Sequence, residues 1–171
     1  MVEITKVYRQ TMPLSKFIGF KYKNEDRVDG MFGYHWGQFY EKGYNKTLET
    51  LLPTNPNDFF EDGNAPIGLI YENGEAFEYW IGFFMPENTV VSEGFDSIDF
   101  LKSELGVCWV YGKEEEIFAQ EGNCGERLEK EGFEIIDDDR RYYCFERYVH
   151  PRNTTPDEKG NIILDICFFV K

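Results

Sequence analysis

The sequence predicts an α+β fold: two pseudo-symmetric ββαββ halves that join into one antiparallel sheet, with the helices on one face and a cleft at the centre. Three observations carry this. Strand-like alternation fills more of the chain than helical spacing does. The order strand, strand, helix, strand, strand runs once over residues 1–86 and again over 92–171. The closing strands are also alike, Ile81-Gly82-Phe83-Phe84-Met85 beside Ile166-Cys167-Phe168-Phe169-Val170. Two sheets with one apolar face each are best buried by joining and sharing a layer of helices, which leaves a groove between the halves.

The elements follow in order. Residues 2–10 alternate through Val2, Ile4 and Val7, and 16–23 are rich in β-formers, so two strands open the chain and are expected to pair as a hairpin. Phe32, Trp36, Phe39 and Tyr40 fall at helical spacing within 31–52, and the Pro53 to Pro56 region ends that helix before an acidic loop. Strands at 67–72 and 77–86 flank Asn73-Gly74-Glu75, a hairpin-turn signal. The second half has strands at 95–101 and 106–112, a helix at 114–131, and strands at 142–148 and 162–170. Glu114-Glu115-Glu116 is read as that helix's start and Asp137-Asp138-Asp139 as a solvated turn.

Composition limits the chemistry. A chain of 171 residues fits one compact domain or two small halves sharing a core, and 42% hydrophobic content is enough to bury that core. The aromatic share is 18%, high enough that some rings are expected to line a cavity as well as fill a core. A net charge of −14 repels phosphate backbones and anionic lipids and attracts cations, so nucleic acid and membrane surfaces are poor partners. Cys108, Cys124, Cys144 and Cys167 form no C-x-x-C pair, and His35 and His150 sit in no ligand cluster, so no metal is expected. Gly30, Gly33 and Gly37 lack phosphate-loop spacing, and no cofactor is expected. With neither a signal-peptide run nor an apolar stretch of about 20 residues, the reading is a cytoplasmic protein with reduced thiols.

The repeated element order, Ser92-Glu93-Gly94-Phe95 leading into the second half, Phe145-Glu146-Arg147-Tyr148 with His150-Pro151 and Pro156-Asp157, and Ile162-Ile163-Leu164-Asp165 together resemble the GyrI-like, or bacterial effector-binding, domain. The resemblance implies a cleft between two halves that takes bulky apolar, often cationic, small molecules, as in multidrug-sensing regulators and stand-alone binding proteins. It also implies two alternatives: hydrolysis of cyclopropane-bearing genotoxins, and modulation of DNA gyrase through protein contact. No helix-turn-helix segment accompanies the domain, so the chain resembles the stand-alone members.

Glu146 matches the family's cleft glutamate, and alternation along 142–148 sets Tyr142, Cys144 and Tyr148 on its side, with Tyr143, Phe145 and Arg147 on the other. The competing reading is that Glu146 merely pairs with a nearby Arg or Lys. Glu78 with Trp80, and Trp109 with Tyr111, are further cleft candidates because each pair shares a strand face. Trp36 is another, although a ring at helical spacing is ordinarily core. Under the hydrolase alternative, Glu78 and Glu146 would form the acid pair and Tyr111 the hydrogen-bond donor. His35, with no nucleophile partner in sight, is given no role, and His150 is placed in a solvated loop.

Overall fold

The structure, a computed structural model, describes residues 1–72, 74, 76–137 and 144–171. The chain forms β1 (Glu3–Met12), β2 (Ser15–Lys23), α1 (Gly33–Glu41), α2 (Tyr44–Glu49), β3 (Ile67–Glu72), β4 (Phe77–Pro86), β5 (Asp96–Phe100), β6 (Ser103–Gly112), α3 (Glu121–Lys130), β7 (Cys144–Arg147) and β8 (Ile162–Val170). The strands make an 8-stranded antiparallel sheet of order β1-β6-β8-β7-β3-β4-β2-β5. This is the α+β class expected. Exchanging the two halves reverses the order and leaves it otherwise unchanged.

The expected β1–β2 hairpin is not formed. β1 pairs with β6 and β2 with β4 and β5, so each half lends its first strand to the other. Only Pro13 and Leu14 connect β1 to β2, a span of roughly 10 Å, yet the two strands belong to opposite ends of the sheet order. The sheet must therefore coil until its margins approach. Phe100 near one margin stacks on Phe169 of β8, ring centroids 5.7 Å apart and 5° from parallel.

Coiling gives the sheet an inner and an outer face. The inner face buries Phe17, Leu69, Trp80, Phe84, Phe145 and Phe169, with Phe59 and Phe60 of the loop before β3 packed against them. On the outer face, Phe32, Phe39 and Leu48 from the α1–α2 region cover β2 and β4. Cys124 and Leu128 of α3 cover β6 and β8. Ile70 on β3 packs against both outer clusters, so α1, α2 and α3 lie on one face and the β3–β7 seam runs between them.

Two helices are shorter than their sequence signals. The stretch 31–52 breaks in two because Gly43 adopts a left-handed conformation (φ 73°), reversing the chain between α1 and α2. In 114–131 the helix begins only at Glu121, so the Glu114-Glu115-Glu116 run is not its start. There Glu116 accepts the N-terminal amine at 2.9 Å, Ile117 is fully buried, and Ala119 at φ 60° ends the preceding turns. Residues 142 and 143, expected to begin the seventh strand, and Asp138 and Asp139 of the acidic turn lie outside the described residues.

Candidate functional site

Glu146 sits at the seam. In the antiparallel ladder it is directly opposite Gly68 of β3 and Ile166 of β8, and it points to the outer, helix-bearing face. It is buried, 7% exposed. Its Oε2 accepts the hydroxyl of Tyr148 at 2.6 Å and that of Tyr79 at 3.1 Å. Trp36 on α1 donates its indole N–H to the Tyr79 oxygen at 2.8 Å, and its ring meets Tyr148 edge-on at 5.0 Å. Phe32 stacks on Tyr79 at 4.4 Å, almost parallel. The result is a buried carboxylate held by two phenols inside an aromatic wall built from α1, β4 and the segment after β7.

No Lys, Arg or His among the described residues pairs with this carboxylate. The neighbouring Arg147 points to the inner face. There, fully buried, it donates to Asp165 at 2.9 Å, Gln10 at 2.7 Å and Tyr8 at 3.1 Å. Burial pushes Glu146 up to about 7; the two phenolic donors pull it down, and the charge of Glu121 at the start of α3 adds to the rise. Desolvation wins because hydrogen bonds from neutral groups do not replace the hydration of an ion. Burial beside that carboxylate also holds the Tyr79 and Tyr148 hydroxyls well above the ordinary phenol range, so both remain neutral donors.

Gly68 has a specific function in this packing. A Cβ at that position would lie 2.3 Å from the Tyr79 hydroxyl and 3.0 Å from Glu146 Oε2. Only a residue without a side chain lets Tyr79 reach across β3 to the carboxylate.

Of the residues singled out in the sequence, the structure brings Glu146, Tyr148 and Trp36 together. Tyr142 lies outside the described residues. Glu78, Trp80, Trp109 and Tyr111 do not join them, because they project from the other face of the sheet. Gly68 pairs with Ile81, which puts Ile81 and Tyr79 on the Glu146 face and turns Glu78 and Trp80 inward. Ile166 pairs with Cys108, which likewise turns Trp109 and Tyr111 away. Trp80 is buried edge-on against Phe17 and donates to Glu78 at 3.1 Å. Trp109 is flanked by the Lys6 ammonium at 4.4 Å and the Arg152 guanidinium at 4.6 Å. Tyr111 braces the loop before β8, donating to Asp157 at 2.6 Å and accepting from Asn161 at 2.8 Å. The acid pair of Glu78 and Glu146 with Tyr111 is therefore divided by the sheet. Tyr79 and Gly68 were not candidates in the sequence, since both owe their place to register across strands.

No group of three His, Cys, Asp or Glu suited to a metal occurs among the described residues, and no helix among them is long and apolar enough to cross a membrane. The fold is similar to that of SAV2435 bound to tetraphenylphosphonium, at 17% identity and TM-score 0.70 over 98% of this chain and 94% of that one. It is also similar to the EcmrR C-terminal domain, at 11% identity and TM-score 0.58 over 97% of each chain. A hydrolase from Listeria innocua shares the fold at 13% identity and TM-score 0.55, over 97% of this chain and 92% of that one. At such identities the likeness is one of fold. No protein-family model matches the sequence, and no curated protein does.

Proposed function

We propose that this chain is a GyrI-like effector-binding domain that takes up bulky aromatic cations at Glu146. The observation that carries this reading is the buried carboxylate without a cationic partner among the described residues, enclosed by Trp36, Tyr79 and Tyr148. A cation placed there would supply the missing counter-charge, and its rings would gain from burial against the aromatic wall, each ring-to-cation contact adding about 0.5–2 kcal/mol. The net charge of −14 would draw such a ligand toward the protein. That SAV2435 is a structural neighbour with tetraphenylphosphonium bound supports the choice of ligand class.

Calorimetric titration with tetraphenylphosphonium and with a neutral tetraphenyl analogue tests the proposal. Glu146→Gln keeps the shape and removes the charge, so it should weaken the cation by about 1–3 kcal/mol, roughly ten- to a hundredfold, and the neutral compound much less. Equal losses for the two compounds would assign Glu146 to packing alone, and an unchanged cation affinity would move the site elsewhere.

A second reading is hydrolysis of a strained electrophile. It is favoured by the same carboxylate titrating near neutrality between two hydroxyl donors, a group able to take and return a proton at physiological pH. With Glu78 on the inner face, Glu146 would work without a second acid. Product formation from a cyclopropane-bearing substrate that is abolished in Glu146→Gln would favour this reading; unchanged turnover would dismiss it.

A further inference from the structure

The two halves can be aligned residue by residue from the ladder itself. Both crossovers between first and second strands turn alike: Ser15 Oγ donates to the Pro13 carbonyl at 2.7 Å and Ser103 Oγ to the Leu101 carbonyl at 2.9 Å. One residue on, Lys16 pairs with Met85 in one half and Glu104 with Val170 in the other. Met85 thus corresponds to Val170, and Ile81 to Ile166. Across the next ladder, Ile81 pairs with Gly68, whereas Ile166 pairs with Glu146. Gly68 and Glu146 are therefore equivalent positions, and they also pair with each other. The local two-fold relating the halves passes between them.

Equivalent positions on such an axis face each other at close quarters, and identical acids there would repel until one took up a proton. The chain instead has one acid and one glycine. We infer that Gly68 is a positioning residue of the binding carboxylate: as the counterpart of Glu146, it vacates the axis for a single acid and opens the gap through which Tyr79, itself held by Trp36, reaches that acid. The inference rests on the proposed role of Glu146 for its functional meaning. A methyl group at Gly68 would displace the Tyr79 hydroxyl, since the 2.3 Å separation is far inside van der Waals contact and Tyr79 is buried against Phe32. Among the described residues Glu146 would then keep only the Tyr148 donor, with Glu121 of α3 still opposing its ionisation and Cys144 beside it on the same face.

The test compares wild type, Gly68→Ala, Tyr79→Phe and the double variant. Carbon-13 NMR of carboxyl-labelled glutamate, with Glu146→Gln to identify the resonance, follows the titration of Glu146 in ligand-free protein. Calorimetry follows tetraphenylphosphonium. Gly68→Ala and Tyr79→Phe should each shift the Glu146 titration to higher pH and weaken the cation about tenfold at neutral pH, the worth of one hydrogen bond to a charged group. The double variant should do neither more than Tyr79→Phe alone, because both substitutions remove the same contact. If Gly68→Ala is too crowded to fold, removing the Tyr79 hydroxyl should restore folding, and a double variant that also fails to fold would overturn the inference. So would a Gly68→Ala protein that titrates as wild type does, or losses that multiply in the double variant. Failure of tetraphenylphosphonium to bind wild type would count against the proposed function, while the ligand-free titration would still decide the role of Gly68.

Discussion

Glu146 and Arg147 are consecutive, both buried and oppositely charged, yet they do not neutralise one another, because alternation sends them to opposite faces. Arg147 is partnered by Asp165, Gln10 and Tyr8 on the inner face. Its pair with Asp165 is extended by Arg152, which donates to Asp165 at 2.9 and 2.6 Å and to Asp62 at 2.8 Å, fastening the acidic loop to the sheet. Among the described residues Glu146 has only phenolic partners, and this carries a pH signature. Its ordinary value of 4.5 rises to about 7 in the fold, so folding takes up a proton between those values. The associated stability is fully present below about 4.5 and is lost as pH rises through about 7, a change of about 3 kcal/mol at 1.36 kcal/mol per unit. Other carboxylates titrate in the same range, so the comparison must be with Glu146→Gln. Urea unfolding at pH 4.5 and pH 8 should show the variant gaining about 3 kcal/mol on wild type at the higher pH. A gap that does not change with pH would mean that Glu146 ionises freely. Saturating cation should close the gap, since a bound positive charge favours the ionised acid.

At the scale of elements, the order of strands and helices was legible because alternation and helical spacing are local properties of the chain. Which sets of side chains share a face was not, because alternation sorts residues within one strand and only register relates one strand to the next. Glu78 with Trp80 and Trp109 with Tyr111 share a face as alternation requires, but register turns those faces away from Glu146 and brings Tyr79, between Glu78 and Trp80, to it instead. Trp36 shows the reverse: its spacing fits a core helix, and the indole N–H that reaches Tyr79 has no signature along the chain. The helix that carries it is built for weak local stability. α1 has 9 residues with no side-chain cap and includes both Gly33 and Gly37. Gly37 lies in helical conformation, and a Cβ there would meet nothing within 4 Å. Gly37→Ala should therefore stabilise the protein by about 0.5–1 kcal/mol in chemical denaturation and leave tetraphenylphosphonium affinity unchanged. A change in affinity would show that flexibility of α1 is part of ligand entry.

At the scale of the molecule, the exchange of first strands makes the halves interdependent, a property hidden from the sequence because β1 and β2 are only two residues apart and have every local reason to form a hairpin. Cutting after Val90, an exposed position between β4 and β5, would leave β1 without β6, β2 without β5 and β3 without β7 in the first fragment. The same cut divides the inner core. Leu105, Val107, Phe145, Cys167 and Phe169 fall in one fragment, and Met12, Phe17, Ile67, Leu69, Trp80 and Phe84 in the other. At about 2 kcal/mol for each large apolar side chain exposed, losing the smaller set forfeits on the order of 10 kcal/mol, comparable with the whole stability of an ordinary domain. Residues 1–90 and 91–171, expressed separately, should each lack a cooperative thermal transition and near-ultraviolet dichroism, and their equimolar mixture should regain both together with Glu146-dependent cation binding. If either fragment melts cooperatively as a monomer, the halves are independent units and the strand exchange contributes little. Recovery of the dichroism without binding would mean that the seam at Gly68 and Glu146 does not re-form when the chain is cut.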